Sequence, residues 1–406
     1  MRDTDPSVSA PLAAWPVIAA PEVERARSRA LRLGLDHGQA MDVALGATRG
    51  ISWARLRGLA PVLAAAREEV RLAHEAAATP LLAQLGPERA AAARALAASW
   101  ATRFDRVVVF GEAAGVDALM LALPAEPSPG ICACPGPALA PLRRAIAGAA
   151  QPLVVLVGQA AWVRAQAIAA GAGELHVLPS EEDGVFTVLS VEALALATLA
   201  GTPPDDLLAA CAAVVGRSAD PQHDVARRLA GLTQLLADSC GLSRIDLVAA
   251  SPGAVRLSRV VAAGWAAVCC KAPVGTVRTP GADAPRCRRL GDEAELQRVH
   301  EGPGDQWTLC FRELAVQGEP DAVTEQLVAA EAALWLERGA PYVQLRVVVD
   351  DPGSRVAAAL VCIEAALTVA VLKKVSPLEM PTADRFRERV ASGVAPGLDG
   401  APAPQE

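Results

Sequence analysis

The sequence predicts an α/β protein in which two units, each a parallel sheet between helices, follow an N-terminal helical region. Three observations carry this reading. Arg106-Val-Val-Val-Phe-Gly111 and Pro152-Leu-Val-Val-Leu-Val-Gly158 are short apolar runs closed by glycine, as expected of strands buried on both faces. Helix-like stretches alternate with them, and that alternation argues for a parallel sheet covered by helices. The same texture starts again at Arg244.

Taken in order, residues 1–22 are Pro-rich and are expected to form a disordered tail. From Val23 to Ala101, Leu, Ala and Arg/Glu recur at spacings near 3.6, which predicts helix almost throughout. The first α/β unit spans 102–240. Its third run, Glu174-Leu-His-Val-Leu178, ends at Pro179, and the helical stretch from Val191 to Asp238 is broken at Pro203-Pro204. The first two strands end in glycine ahead of a helix. Backbone N–H groups at a helix N-terminus are where parallel-sheet proteins usually bind anions.

The second unit, 241–390, reads as strands at Arg244–Ala250, Trp307–Phe311 and Tyr342–Val349. Helices are expected at Asp321–Gly339 and Ser354–Lys374, with a short one near Arg389. Residues 391–406, rich in Gly and Pro, are expected to form a disordered tail.

Composition narrows the class of function. Hydrophobic residues make up 52% of the 406 and charged residues 20%, so the chain can bury large cores. A net charge of −7 offers no basic face to a phosphodiester backbone, which argues against nucleic acid. The cysteines include Cys132-Ala-Cys134 and the adjacent pair Cys269 and Cys270. Neither has the spacing of a zinc site, so they are read as small buried hydrophobes, with no metal and no cofactor expected.

The N-terminal stretch lacks a basic segment and contains Pro11 and Pro16, which does not read as a signal peptide. The apolar run from Val356 to Leu372 contains Glu364 and is short for a bilayer span, so a core helix is expected rather than a membrane segment. A cytoplasmic protein is the resulting expectation.

Three segments resemble one family. Glu174-Leu-His-Val-Leu-Pro-Ser-Glu-Glu-Asp-Gly-Val-Phe-Thr-Val-Leu-Ser190, running on to Leu199-Ala-Gly201 and Leu207-Leu208, is similar to the glucose-6-phosphate isomerase pattern "GGRFSVLS…GLLPAALAG". Leu290-Gly-Asp-Glu-Ala-Glu-Leu-Gln297 with Glu301-Gly-Pro-Gly-Asp305 resembles "DQH…Q…EGP.D". Ala357-Ala-Ala-Leu-Val-Cys-Ile-Glu364 through Ser376-Pro-Leu-Glu-Met-Pro381 is similar to the family's last long helix and its "NPFDQPGVE…K" ending. Their colinearity carries the resemblance. It implies two sugar-isomerase (SIS) domains and a homodimer with its active site near the subunit interface.

Aldose–ketose isomerisation needs a base near neutral pH, a ring-opening acid, a cation for developing charge and a phosphate cradle. The resemblance places the family's glycine-rich turn at Phe110-Gly-Glu-Ala-Ala-Gly115, where Gly111 survives and Glu112 brings in a carboxylate. The phosphate loop falls at Val157-Gly-Gln-Ala-Ala161, without the family's hydroxyls, which leaves Gly158 and Gln159 as sugar-phosphate contacts. Trp265 anchors the base at Ala272, with the following glycine at Gly275. Alanine cannot abstract a proton, and no carboxylate occurs anywhere from Trp265 to Ala282. The ring-opening histidine falls at Glu293 and the terminal lysine at Arg387, which keeps the charge but not the compact ammonium.

Other candidates have plainer readings. His300 is a displaced acid/base or an exposed loop histidine, and the second is preferred. Lys271 beside Cys270 lacks a histidine partner nearby in sequence. Asp292, Glu293 and Glu295 suit acid/base work but more often form a helix cap. Glu364 in an apolar helix is structural and needs a partner.

The expected function is a glucose-6-phosphate isomerase-like protein that has lost catalysis. It binds a sugar phosphate, or acts as a regulatory or assembly subunit, as a homodimer or in a hetero-oligomer with a metabolic enzyme. The alternatives are an active divergent isomerase using Glu293 as base and Arg387 for charge, and a pure protein-interaction module.

Overall fold

Alanine and leucine at helical spacing build the N-terminal region. The computed structural model describes residues 21–75, 85–124, 130–158, 161–178, 184–217, 220, 223–268, 285–301, 304–316 and 322–375. The region begins with α1 (Pro21–Ala30), β1 (Gly34–Asp36), α2 (Asp42–Leu45), α3 (Trp53–Gly58), α4 (Ala60–Glu75) and α5 (Pro87–Arg103). Pro87 opens α5 with its φ already set for helix, and Ala90, Ala93, Ala97 and Trp100 form its buried stripe. The helical reading of 23–101 misses β1, three residues that pair antiparallel with a strand more than three hundred positions later.

The first α/β unit follows as β2 (Arg106–Gly111), α6 (Ala113–Met120), β3 (Ile131–Pro135), α7 (Leu139–Ala147), β4 (Pro152–Val157), α8 (Ala161–Ala169) and β5 (Glu174–Val177). Its sheet runs β3-β2-β4-β5, all parallel, with Val108 opposite both Cys132 and Val154. In β2 and β4 every residue after the first is buried, because helices cover both faces.

A 3-10 helix (Gly184–Leu189), α9 (Val191–Leu199), α10 (Pro204–Gly216) and α11 (Val225–Cys240) lead to the second unit. The helical stretch expected from Val191 to Asp238 is thus three helices. Pro204 sits in the first turn of α10, and Asp224 caps α11 by accepting from Arg227 N.

The second unit comprises β6 (Arg244–Ala249), α12 (Pro252–Val268), β7 (Arg286–Arg289), α13 (Glu293–His300), β8 (Gln306–Glu313), α14 (Ala322–Arg338), β9 (Tyr342–Val347) and α15 (Pro352–Leu372). The sheet order is β1-β9-β8-β6-β7, parallel except for the β1 edge. Two further strands were not anticipated. β3 is a cysteine-containing edge, and β7 is Arg-Cys-Arg-Arg, which has no apolar period. Arg288 of β7 is nonetheless buried, because Asp246 accepts from its Nε at 2.6 Å and Glu331 receives its two terminal nitrogens.

The apolar run expected as a core helix is α15, which is long and apolar enough to cross a membrane yet is buried at the centre of the molecule. Its charged side chains are satisfied internally. Arg355, fully buried, donates to the carbonyls of Leu121, Leu123 and Val349. Glu364 finds the partner its burial requires: Arg67 Nη1 and His74 Nε2 each lie 2.6 Å from one of its oxygens. Arg67 Nε also reaches Asp224 at 3.2 Å, so α4, α11 and α15 share one buried network.

Candidate functional site: the glycine cradle of the first sheet

β2 and β4 end side by side, and glycine is required where they do. Gly111 has φ +145°, and a β-carbon there would stand 1.9 Å from the Val157 carbonyl oxygen. That same oxygen accepts from Glu112 N at 3.1 Å. Gly158, at φ +97°, faces the Glu112 side chain: a β-carbon would meet its Cγ at 3.0 Å and its Cδ and Oε1 at 3.1 Å. The two glycines placed in the sugar-phosphate site by sequence are therefore adjacent, with a half-buried carboxylate lying across them.

Two further elements wall the cradle. Gly115, in the first turn of α6, lets that helix approach Val157, where a β-carbon would be only 2.3 Å from Cγ1. It also faces the Gly184 carbonyl of the 3-10 helix at 3.4 Å. Thr187 donates to the Gly184 carbonyl at 2.8 Å and to Gly115 O at 3.4 Å, which pins that helix to the turn. The C-terminal half of α12 closes over it, with a β-carbon at Gly264 standing 3.2 Å from Ile363 Cγ1 and 3.8 Å from Val185 Cγ2. Trp265 is buried one residue later. The resemblance's base position thus follows the helix that borders the cradle. Ala272 itself, like Gln159, Lys271 and Arg387, lies outside the described residues.

Glu293 sits elsewhere. It is exposed in the first turn of α13, which follows the edge strand β7 of the second sheet. Among the described residues no hydrogen bond or ion pair links it to Gly111 or Gly158. Its neighbour Asp292 caps the helix by accepting from Glu295 N at 3.1 Å, in keeping with the cap reading of this acidic cluster. His300 is the last residue of α13 rather than a loop residue, half-buried with Nε2 3.3 Å from the Leu334 carbonyl.

Two groups that sequence reading did not single out shape the surroundings. Glu313, at the end of β8, accepts from Ser251 N at 2.6 Å and so occupies an amide at the start of α12. Burial raises its pKa, against the pull of the hydrogen bonds at Ser251 and Ala250. The second sheet's helix N-terminus is in this way partly filled by the protein's own carboxylate. Between α6 and α12, burial likewise raises Asp117, opposed by Arg259 and Arg256, and Arg256 donates to Met120 O at 2.9 Å. No sequence motif marks either arrangement, because each depends on residues more than sixty positions apart.

Chemically, the cradle presents backbone, apolar walls and one carboxylate, the Thr187 hydroxyl being buried and already bonded to carbonyls. An anion entering it must displace or out-compete Glu112.

No family model and no curated protein sequence matches the chain. Solved structures do match. The hypothetical protein TT0462 from Thermus thermophilus aligns with TM-score 0.66 at 17% identity, over 89% of this chain and 100% of that one. A glucose-6-phosphate isomerase from Chlamydia trachomatis aligns with TM-score 0.61 at 14% identity, over 94% and 85%. With two helix-flanked sheets in this order, the chain has the fold of that glucose-6-phosphate isomerase.

Proposed function

We propose that this protein is a non-catalytic relative of glucose-6-phosphate isomerase that keeps a weak sugar-phosphate site and acts as a regulatory or assembly subunit of cytoplasmic sugar-phosphate metabolism. It assembles with itself or with a metabolic enzyme, and its two domains divide near residue 240. The observation that carries the reading is the cradle: Gly111 and Gly158 still open the ends of β2 and β4, while Glu112 lies in the opening. The sequence adds that no carboxylate or histidine occurs from Trp265 to Ala282, where the resemblance requires a base.

The test pairs calorimetric titration of fructose 6-phosphate with a coupled assay of its conversion to glucose 6-phosphate, in protein free of host isomerase. Weak binding without turnover is the expected result. Turnover far above background would refute the loss of catalysis. Neither binding nor turnover would refute the ligand site and leave the interaction module.

A further inference from the structure

An open recess of about 640 Å³ lies at the opposite end of the first sheet from the cradle. Its walls stand where the chain enters that sheet: Arg103 and Phe104 where α5 ends, Ile146 in the last turn of α7, Pro152 at the start of β4, and Gly173 and Glu174 at the start of β5. The six residues of β4 separate it from Gly158 by about 20 Å. Its size falls within the range of small-ligand sites, roughly 300–1,000 Å³.

Hydrogen bonds fix the shape of this recess. Asp105 N donates to Gln151 O at 3.2 Å, and the Asp105 carboxylate accepts from Ala150 N at 2.7 Å and Gln151 N at 3.0 Å, which holds the end of α5 against the turn before β4. Arg106 Nη1 donates to Ala145 O at 3.0 Å and holds the last turn of α7. Gly173 has neither a left-handed backbone nor any atom within 4 Å of where a β-carbon would stand. Nothing among the described residues therefore requires glycine there, although glycine loses the most conformational freedom on folding. Its missing side chain leaves the recess open and the backbone bare.

The walls combine an apolar surface with one charge of each sign. Ile146, 8% exposed, and the half-buried Phe104 and Pro152 are the apolar part. The Arg103 guanidinium lies over the Phe104 ring, its carbon 4.9 Å from the centroid, a contact that holds the cation without using its N–H groups. Glu174 Oε1 is 3.7 Å from Arg103 Nη2, beyond hydrogen-bond length, and the side chains of Arg103 and Glu174 are 58% and 60% exposed. Among the described residues neither side chain makes a hydrogen bond. Glu174 repels a lone anion such as a phosphate, and Arg103 repels a lone cation. A ligand that carries both charges on neighbouring atoms satisfies the pair.

We infer that this recess binds the zwitterion of a free α-amino acid with a large apolar side chain, at a site independent of the cradle and of the function proposed for it. The ligand carboxylate bonds the Arg103 guanidinium, its ammonium bonds Glu174, and its side chain covers Phe104, Ile146 and Pro152.

The probes are L-phenylalanine, phenylpropionate, which lacks the ammonium, and phenethylamine, which lacks the carboxylate, each titrated into the full chain by saturation-transfer NMR. L-Phenylalanine is expected to bind in the millimolar range, and each analogue about fivefold more weakly. Arg103→Gln is expected to weaken L-phenylalanine and phenylpropionate about fivefold and to leave phenethylamine unchanged. Glu174→Gln is expected to weaken L-phenylalanine and phenethylamine and to spare phenylpropionate. Gly173→Leu places a side chain in open space and is expected to abolish binding of all three with the fold intact. Should that variant not fold, the Arg103→Gln result decides alone. No binding of L-phenylalanine at tens of millimolar overturns the proposal. So does binding equal to the parent's in Arg103→Gln or in a folded Gly173→Leu, or an analogue that binds as tightly as L-phenylalanine.

Discussion

Glu112 lies across Gly158, its Oε1 3.1 Å from the point a β-carbon on that glycine would occupy. Both residues sit where strands of the first sheet give way to helices, the usual place for an anionic ligand in a parallel-sheet protein. If the cradle holds a sugar phosphate as proposed, that ligand and the Glu112 carboxylate compete for one opening, and the competition sets the affinity.

Removing the carboxylate relieves that competition. Glu112→Ala is expected to tighten fructose 6-phosphate binding by about tenfold, roughly 1.4 kcal/mol, as measured by titration calorimetry. Unchanged or weaker binding would mean that Glu112 does not obstruct the cradle.

The Glu364 network is a matter of stability rather than ligand binding. Burial pushes the Glu364 carboxyl up, but the His74 hydrogen bond and charge, with those of Arg67, outweigh it and hold the pKa below the ordinary 4.5. A depressed folded pKa contributes stability that is present above the unfolded value and is lost as pH falls through the folded one. Glu364→Ala leaves the Arg67 guanidinium and the buried His74 ring without their shared acceptor and is expected to cost about 3 kcal/mol at neutral pH. Denaturant unfolding between pH 7 and pH 3 should show the variant losing less stability than the parent below about pH 4.5.

Arg355 ties the two sheet units together. Its guanidinium is fully buried and bonds only carbonyls, and burial, with the charge of Arg256, pushes its pKa down to about 10. Arg355→Leu frees the carbonyls of Leu121 and Leu123 just after α6, and is expected to cost about 3 kcal/mol or more. Limited proteolysis should then cut sooner near residue 124 than in the parent. Equal protection in both proteins would show that Arg355 is not the tie.

These networks show what could be read from the sequence and what could not. β2 and β4 announce themselves as β-branched runs because burial on both faces demands apolar residues throughout. β7 could not be read, since what buries Arg288 is an ion pair with Asp246 and Glu331, over forty positions away in each direction. β1 is too short to show a period, and its partner is β9. At the site, the glycines were legible from their places at strand ends. The lie of the Glu112 side chain and the Glu313 contact at Ser251 were not, because both depend on how distant elements meet. Glu293 suited acid/base chemistry by type, but its place in the second unit and in an acidic run typical of a helix start, both legible in the sequence, matches the capped first turn in which it lies.

The same placement bears on whether the alternative base can work. If Glu293 were catalytic, Glu293→Gln would abolish turnover and leave unfolding unchanged. The expected outcome is instead that the variant and the parent are indistinguishable in a coupled isomerase assay, both at background.

The central claim is that an isomerase fold survives here without isomerase chemistry, and the parent protein's own rate tests it most directly. Purified from a host lacking glucose-6-phosphate isomerase and supplied with saturating fructose 6-phosphate, it is expected to form glucose 6-phosphate no faster than buffer. A rate that scales with protein concentration and falls on Glu293→Gln substitution would contradict the claim.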